Sequence, residues 1–236
     1  MHTMRTIGVI LGAIVLASFG VLAVLMLWLG AATGLMVGVA IAAGVIGAYV
    51  LVIGPWARTW GADDGVARRA LPGDELLPAG VPSTTRAIAI DASPAEVFPW
   101  LLQIGYGRGG WYSYDWIDND GRPSVEHLDA SIQLRVGDRI EMVPGMGPTV
   151  VAIEPERSIV GRGEADAWTL YLEPRDGGSR LISRWRLDRP KNVGTRVWTS
   201  IADPGAFVME RKMLLRLKQL AEASAREIRP GAEVGR

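Results

Sequence analysis

The fold of this chain is set by an uncharged stretch at its start, residues 6–57, with the sequence TIGVILGAIVLASFGVLAVLMLWLGAATGLMVGVAIAAGVIGAYVLVIGPWA. No Asp, Glu, Lys or Arg occurs between Arg5 and Arg58. As a single helix, residues 7–54 would be about 72 Å long at about 1.5 Å per residue. The hydrocarbon core of a bilayer is about 30 Å thick. The stretch is therefore too long for one crossing and suits two.

A turn divides this stretch into two helices. Residues 30–34 are GAATG, a run of small, weakly helical residues that permits a tight reversal. We therefore predict transmembrane helices at residues 7–29 and 35–53, which form a hairpin. The alternative is a secretory signal peptide, whose apolar region is about 7–15 residues long. The run from 7 to 29 is much longer than that.

The charges that flank the hairpin predict its orientation. Arg5 precedes the first helix, Arg58, Arg68 and Arg69 follow the second, and the turn carries no charge. Basic residues are enriched on the cytoplasmic side of membrane helices. We therefore expect a multi-pass protein of the cell (inner) membrane with two spans, with both termini and the whole soluble part in the cytoplasm. No charged residue interrupts the spans, so they are expected to be an anchor.

Composition excludes several classes of function. The chain of 236 residues contains 25 basic and 25 acidic residues, so the basic surface typical of nucleic-acid binding is not expected. It contains no cysteine, which excludes disulfides, thiolate metal sites and cysteine nucleophiles. We expect no metal site and no cofactor, and we expect the membrane as a partner.

The chain is expected to contain four regions: the hairpin at 1–54, a linker at 55–82, a folded domain at 83–228 and a flexible tail at 229–236. The linker is rich in Gly and Pro, so it is expected to be an extended, solvated connector with one short helical turn near residues 62–69. A shortened chain that begins near Gly80 is accordingly expected to fold.

The domain sequence predicts a mixed α and β structure. A strand at 84–90 precedes Ser93-Pro94-Ala95-Glu96, in which Ser suits the N-cap, Pro the first helical position and Glu the third. A long helix is expected at 207–226, with its apolar residues on one stripe. Between these helices, alternation and turn residues predict five strands, at 138–143, 149–154, 158–162, 167–173 and 179–187.

The predicted fold class is therefore α+β, because an antiparallel sheet with one apolar face must be covered and the long terminal helix is available to cover it. The chain resembles membrane-anchored bacterial proteins of the SRPBCC (START/Bet v 1-like) superfamily. The resemblance lies in residues 58–62, 71–76, 100–118, 136–138 and 207–217, and its most specific part is the run GWYSYDW at 110–116. It implies a helix-grip domain, an antiparallel sheet around a long C-terminal helix, with a cavity for a hydrophobic ligand.

Large aromatic and sulfur-containing side chains are the candidate ligand contacts. Three rings in the GWYSYDW run suit the mouth of an apolar cavity, although core packing explains them equally well. Core packing is also at least as good an explanation for Trp168 and Trp185 on the strands and for Met209 and Met213 on the helix. Arg184 and Arg186 alternate with Trp185, so they are expected to face solvent. The candidate ligand-binding residues are Tyr112, Tyr114, Trp116, Trp168, Trp185, Met209, Met213 and Leu217.

Three functions remain open from the sequence. The first is a non-catalytic module that binds or transfers a hydrophobic small molecule or lipid in an internal cavity. The second is a cyclase or dehydratase-type enzyme on a polyketide-like or lipidic substrate, for which Tyr112, Tyr114, Asp115 and His127 are the residues to suspect. The third is a regulatory or scaffolding domain with a closed cavity. We assign no catalytic residue.

The orientation of the hairpin is testable with reporter fusions. A reporter joined after Leu29 should lie outside the cytoplasm, and one joined after Arg58 should lie inside it, because the two positions are separated by one crossing. Alkaline phosphatase and green fluorescent protein activities report the two sides. Cytoplasmic signals from both fusions would contradict the hairpin.

Overall fold

The computed structural model describes residues 2–188 and 193–228. The chain forms two compact units, Met1–Ala57 and Arg58–Arg236. The tail expected at residues 229–236 lies outside the described residues. The helices are α1 (His2–Leu29), α2 (Ala31–Ala48), α3 (Gly54–Arg58), α4 (Asp64–Arg68), α5 (Pro94–Leu101), α6 (Asp115–Asp118) and α7 (Val193–Ile228), with a π-helical turn at Tyr49–Ile53 and a 3-10 turn at Asp74–Leu76. The strands are β1 (Ser83–Ile90), β2 (Thr149–Glu154), β3 (Ser158–Arg162), β4 (Asp166–Arg175) and β5 (Gly178–Leu187).

The first unit is a helical hairpin with a sharper turn than expected. Gly30 has a φ of 81° and reverses the chain alone, so α2 begins at Ala31 rather than at residue 35. The two helices approach closely at Gly34, where an added Cβ would lie 2.5 Å from the Met26 Cα. Gly8–Leu29 and Ala31–Arg58 are both long and apolar enough to cross a membrane, and the most apolar part of each is not buried within the protein.

The second unit contains a five-stranded antiparallel sheet in the order β1-β5-β4-β3-β2. One face, which we call the inner face, packs against α7: Leu214 and Leu217 are fully buried in the same core as Trp168 and Leu170 of β4. This sheet around a long C-terminal helix confirms the predicted helix-grip fold. The predicted capping of α5 is also confirmed, because Ser93 and Glu96 form a capping box.

The strand expected at residues 138–143 does not form. The segment instead makes isolated bridges, Arg139 with Thr149 and Val143 with Met146. Gly137, Gly145 and Gly147 adopt positive φ values around it, so the backbone cannot continue as a regular ladder. Alternating side chains predicted a strand here, but these glycines turn the segment into a loop that precedes β2.

Helix α7 is longer than the predicted helix at 207–226, because it begins at Val193 and continues through Pro204. Its buried face is also wider than the predicted stripe: it includes Leu214 and Ala221, which are fully buried, whereas Met209 and Ser224 are half-buried. Proline removes one helix hydrogen bond and crowds the preceding turn. Helix α7 is therefore least reinforced where it passes Pro204.

The linker predicted at 55–82 is not a solvated connector from Arg58 onward. Val66 and Leu71 are 4% and 5% exposed, and they pack on Ala87 and Ile182 of the other face of the sheet, which we call the outer face. The helical turn expected near 62–69 is present as α4. Glycines and prolines predicted flexibility, but here they shape a covering layer. A chain that begins near Gly80 would lack this layer, so its folding is no longer expected.

Two arginines of β5 hold the covering layer in place. Arg184 and Arg186, expected in solvent, are 4% and 9% exposed. All five N–H groups of Arg184 are used: they donate to the Thr85 hydroxyl, the Asp74 carboxylate and three backbone carbonyls of residues 66, 67 and 69. Arg186 donates to the carbonyls of residues 74, 77 and 78. The alternation of β5 correctly predicts that both side chains lie on the outer face. The covering layer buries that face, so the two arginines do not face solvent.

Replacing Arg184 by Met tests this layer. The variant removes the donor to three carbonyls and one of the donors to the Asp74 carboxylate, so the free energy of unfolding should fall by about 3–5 kcal/mol. Urea unfolding of the full chain in mild detergent, followed by tryptophan fluorescence, measures it. The control is Arg157→Met, since the Arg157 side chain is 57% exposed and its loss should cost at most about 0.5 kcal/mol. Equal stability of both variants would show that the layer contributes nothing.

Candidate functional site

The inner face of the sheet packs against the buried face of α7, and we call the region between them the grip interior. Alternation along each strand decides which residues face it, and helical spacing decides the contribution of α7. Most of the lining is aliphatic or aromatic, with three polar side chains among it. The lining residues used below are Arg86, Ile88 and Ile90 of β1, Trp168, Leu170 and Leu172 of β4, Leu181, Ser183 and Trp185 of β5, and Glu210, Met213, Leu214 and Leu217 of α7.

A stack of indole rings forms one wall of the grip interior. The strand register places Trp168 directly opposite Trp185, and their rings stack 5.0 Å apart at an interplanar angle of 12°. The Trp111 ring lies 5.7 Å from that of Trp168 at an interplanar angle of 35°. Trp168 donates its indole N–H to the Ser183 hydroxyl at 2.9 Å. This bond fixes the orientation of the stack, because a buried indole N–H requires an acceptor.

A buried ion pair crosses the grip interior from sheet to helix. Arg86 donates to Glu210 Oε2, and the two side chains are 2% and 10% exposed. Burial raises the pKa of Glu210, while the Arg86 charge and the nearby Ser183 hydroxyl act in the opposite direction. The Arg86 guanidinium also lies 5.2 Å above the Phe207 ring. The second oxygen, Glu210 Oε1, is buried and forms no hydrogen bond to a described residue.

The three rings of the GWYSYDW run do not act as a group. Tyr112 is 2% exposed, and its hydroxyl accepts from Gln103 at 3.2 Å. Tyr114 is half-buried beneath the Lys212 ammonium, which lies 4.0 Å from the ring centroid. Trp116 is 52% exposed. Tyr112 therefore belongs to the packed core, Tyr114 lies at the surface beside α7, and Trp116 faces solvent.

The other predicted contacts gather around the indole stack. Met213 and Leu217 are 3% and 0% exposed and belong to the same core as Trp168. Trp185 packs against this core while remaining half-buried, and Met209 is half-buried near the start of the buried part of α7. The structure thus places Trp168, Trp185, Met213 and Leu217 together. Whether they contact a ligand stays a prediction.

The residues suspected for catalysis do not converge. Asp115 accepts from the backbone N–H and the hydroxyl of Ser124, and Ser124 in turn accepts from the Tyr112 backbone N–H. His127 is exposed, and its carbonyl oxygen accepts from Gln103. The Tyr112 hydroxyl is buried, which raises its pKa. These groups hold the loop after α5 in shape.

Asp118 is a buried carboxyl outside the grip lining described above. It is 5% exposed, and neither carboxylate oxygen forms a hydrogen bond of ordinary geometry to a described residue. Burial raises the pKa of Asp118 to about 6, the negative charge of Asp115 acts in the same direction, and the neighbouring Ser113 hydroxyl opposes both. The carboxyl therefore titrates near neutral pH.

The polar members of the site, Arg86 and Glu210, are not among the predicted site residues. Arg86 shares one side of β1 with Ile88 and Ile90, and a charged residue on the apolar side of a strand was the available signal. Glu210 lies one helical turn before Leu214, in line with the buried face. Neither residue alone predicts a site, because the pair is separated by 124 positions in the chain.

A metal centre and a surface cleft are poorer candidates for the functional site. The described part of the chain contains no group of three or more His, Asp or Glu side chains that could hold a metal ion. A surface cleft of about 450 Å³ lies beside the covering layer and is lined in part by Arg69, Arg184 and Arg186. Because Arg184 and Arg186 already donate to backbone carbonyls, the cleft is not suited to a hydrophobic ligand.

The site therefore belongs to a helix-grip domain, and solved structures with distant similarity are known. Protein MLL2253 from Mesorhizobium loti has 16% identity, a TM-score of 0.38 and coverage of 61% of this chain and 98% of its own. The Polyketide_cyc-like protein Cgl2372 from Corynebacterium glutamicum has 17% identity, a TM-score of 0.32 and coverage of 66% and 99%. Protein BH1534 from Bacillus halodurans has 9% identity, a TM-score of 0.41 and coverage of 60% and 98%.

Similarity at this level supports no inference about what this chain binds or does. No protein-family model matches the chain, and no curated protein matches it significantly. Its function must therefore be argued from its own residues.

The raised pKa of Asp118 predicts a pH-dependent stability. The folded state binds the Asp118 proton more tightly than the unfolded state, so the stabilisation is complete below pH 4 and is lost as the pH rises through about 6. A shift of about two pH units corresponds to about 3 kcal/mol. Asp118→Asn should therefore be more stable than wild type by up to about 3 kcal/mol at pH 7.5, and the difference should vanish near pH 4.

Urea unfolding of both proteins between pH 4 and 8 measures this difference. Asp176→Asn is the control, because Asp176 lies exposed in the turn between β4 and β5 and should leave the profile unchanged. A wild-type profile parallel to that of Asp118→Asn would show that the carboxyl is not titrating in this range.

Proposed function

We propose that this chain is a membrane-tethered, cytoplasmic helix-grip module that binds or transfers a hydrophobic small molecule or lipid in the grip interior without catalysis. The observation that carries the proposal is the wall of stacked indoles beside an otherwise aliphatic lining that contains a few fixed polar groups. Small-molecule sites are typically of this kind: they are mostly apolar, with a small number of polar groups that set orientation.

The apolar hairpin gives the binding role a physical rationale. A hydrophobic ligand partitions into the bilayer, so a module anchored there meets its ligand at a far higher concentration than a free module would. The flanking arginines favour a cytoplasmic location for the domain at the inner membrane. The hairpin itself carries no charged side chain between Arg5 and Arg58, which fits an anchor better than a transport path.

An entrance to the grip interior is expected near the start of the well-buried part of α7. Pro204 lies within α7, where it removes one helix hydrogen bond, and Gly205 and Ala206 are exposed beside it. Because proline weakens the helix there, bending at Pro204 would separate α7 from the sheet next to Phe207 and Glu210. The opposite end of α7 is held by Leu217, Ala221 and Ala225, which are each at most 3% exposed.

Two alternatives each have one supporting observation. A closed scaffolding or regulatory domain is favoured by the packing of Trp168, Met213 and Leu217, which are at most 3% exposed. A cyclase or dehydratase-type enzyme is favoured by Glu210, since a buried carboxyl with a raised pKa is suited to acid–base chemistry. The binding role accounts for both the apolar lining and the polar groups.

Binding is testable with an apolar photoprobe. The full chain in lipid nanodiscs is exposed to an alkyl diazirine, and the labelled peptides are identified by mass spectrometry. Labelling should occur on β4, β5 and α7 as well as on the hairpin. Ser183→Phe should lower labelling of the grip peptides about tenfold, or about 1.4 kcal/mol in binding, because Ser183 is 1% exposed beside Trp168 and the larger ring fills the space.

Ser131→Phe is the matched control, because Ser131 is exposed on a loop and should leave labelling unchanged. Met213→Ala distinguishes the closed scaffold. It should cost about 2–5 kcal/mol if the core is filled and much less if Met213 borders an open space. A large loss of stability together with unlabelled grip peptides would favour the closed domain over the binding module.

A further inference from the structure

We propose that Glu210 Oε1 accepts a hydrogen bond from the polar end of the bound molecule, so that the ligand is a hydrophobic alcohol or a similar neutral O–H or N–H donor. This inference rests on the proposed binding role and names the class of ligand. The aromatic run at residues 110–116 lies outside the polar part of the grip interior.

The geometry of the Glu210 carboxylate leaves one of its oxygens available. Glu210 lies on the buried face of α7 with its side chain only 10% exposed. Oε2 is occupied by the Arg86 guanidinium. The Ser183 hydroxyl lies near the carboxylate but forms no hydrogen bond of ordinary geometry to it, and Oε1 is buried without a hydrogen bond to a described residue. A buried acceptor without a donor loses the hydrogen bonds that water would supply and gains none in return. A ligand that supplies a donor would remove this cost.

Charge limits the class of ligand further. The Arg86 guanidinium supplies the counter-charge of Glu210, so the carboxylate does not require a cation from the ligand. A carboxylate on the ligand would face the oxygen of Glu210 and be repelled, and an ammonium would leave an excess positive charge in a dry interior. A neutral donor avoids both costs. An ether or a hydrocarbon would leave Oε1 without a partner.

The surrounding groups also set the orientation of the ligand. The polar groups Arg86, Ser183 and Glu210 lie on one side of the indole stack, and Phe207 lies against Arg86 at a distance of 5.2 Å. The Trp60 ring meets Phe207 edge-on at 6.4 Å, and the Arg211 guanidinium lies 5.1 Å above Trp60. Polar and aromatic groups thus define the headgroup end, while Met213 and Leu217 continue the apolar lining for the hydrocarbon part.

The test compares three diazirine-bearing dodecyl probes that differ only at their end: a primary alcohol, its methyl ether and the carboxylic acid. Each probe is added at pH 8 to the full chain in nanodiscs. Labelling of the peptides from β4, β5 and α7 is divided by labelling of the hairpin peptides, which report how much of each probe has entered the bilayer. The alcohol should give a normalised yield about tenfold above the ether and the acid, as expected for a hydrogen bond to a charged acceptor.

Variants assign the preference to the ion pair. Arg86→Met with Glu210→Met replaces both charges by apolar groups of similar length, a change that buried pairs often tolerate, and the alcohol-to-ether ratio should fall to about one. Glu222→Gln, on the same helix but paired with Lys218 and the Asp91 backbone N–H, should keep the wild-type ratio. Circular dichroism establishes that each variant is folded.

The outcomes separate this inference from the binding role. Equal grip labelling by alcohol and ether in the wild type would overturn the inference and leave the binding role intact. A tenfold preference that survives in the double variant would also overturn it, since another group would then recognise the alcohol. If no probe labels the grip peptides, both the binding role and the inference fail. The comparison of alcohol and ether labelling in the wild type uses no variant. It therefore tests the inference even if a substitution prevents folding.

Discussion

The domain depends on the burial of Arg184. A guanidinium in an apolar interior is strongly unfavourable unless each of its five N–H groups has an acceptor. The residues that supply these acceptors are Thr85 on the neighbouring strand and the segment around Val66, Ala67, Arg69 and Asp74. The acceptors that Arg184 requires therefore fix the position of this segment on the sheet, and the segment in turn keeps Arg184 buried. Both faces are covered as a result, the outer one by the covering layer and the inner one by α7.

This constraint explains which parts of the fold could be predicted from the sequence. Local signals were sufficient for the hairpin, for the capping box at Ser93 and Glu96, and for the β4–β5 turn at residues 176–178. Alternation placed Arg184 and Arg186 on the outer face but carried no information on what covers that face. The acceptor Asp74 lies 110 positions away, and no periodicity connects residues at such a separation.

The candidate site was predictable in its apolar part only. The spacing of Trp168, Trp185, Met213 and Leu217 was a sufficient signal for a shared interior, because strand and helix periods decide which way large side chains point. Arg86 and Glu210 were not found, since their significance arises from pairing across the interior. The GWYSYDW run was predicted to supply ligand contacts, but Tyr112 fills the core. Its φ of 54° is accompanied by hydrogen bonds from its backbone N–H to Ser124 and from Gln103 to its hydroxyl.

The covering layer also changes how the chain meets a protease. A solvated connector at residues 55–82 would be cleaved readily, because proteolytic nicking concentrates in exposed, loosely held segments. Here Val66 and Leu71 pack on the sheet, and the carbonyls of residues 66, 67 and 69 accept from Arg184. Cleavage within this segment therefore requires the layer to detach first, and its rate reports the free energy of that local opening.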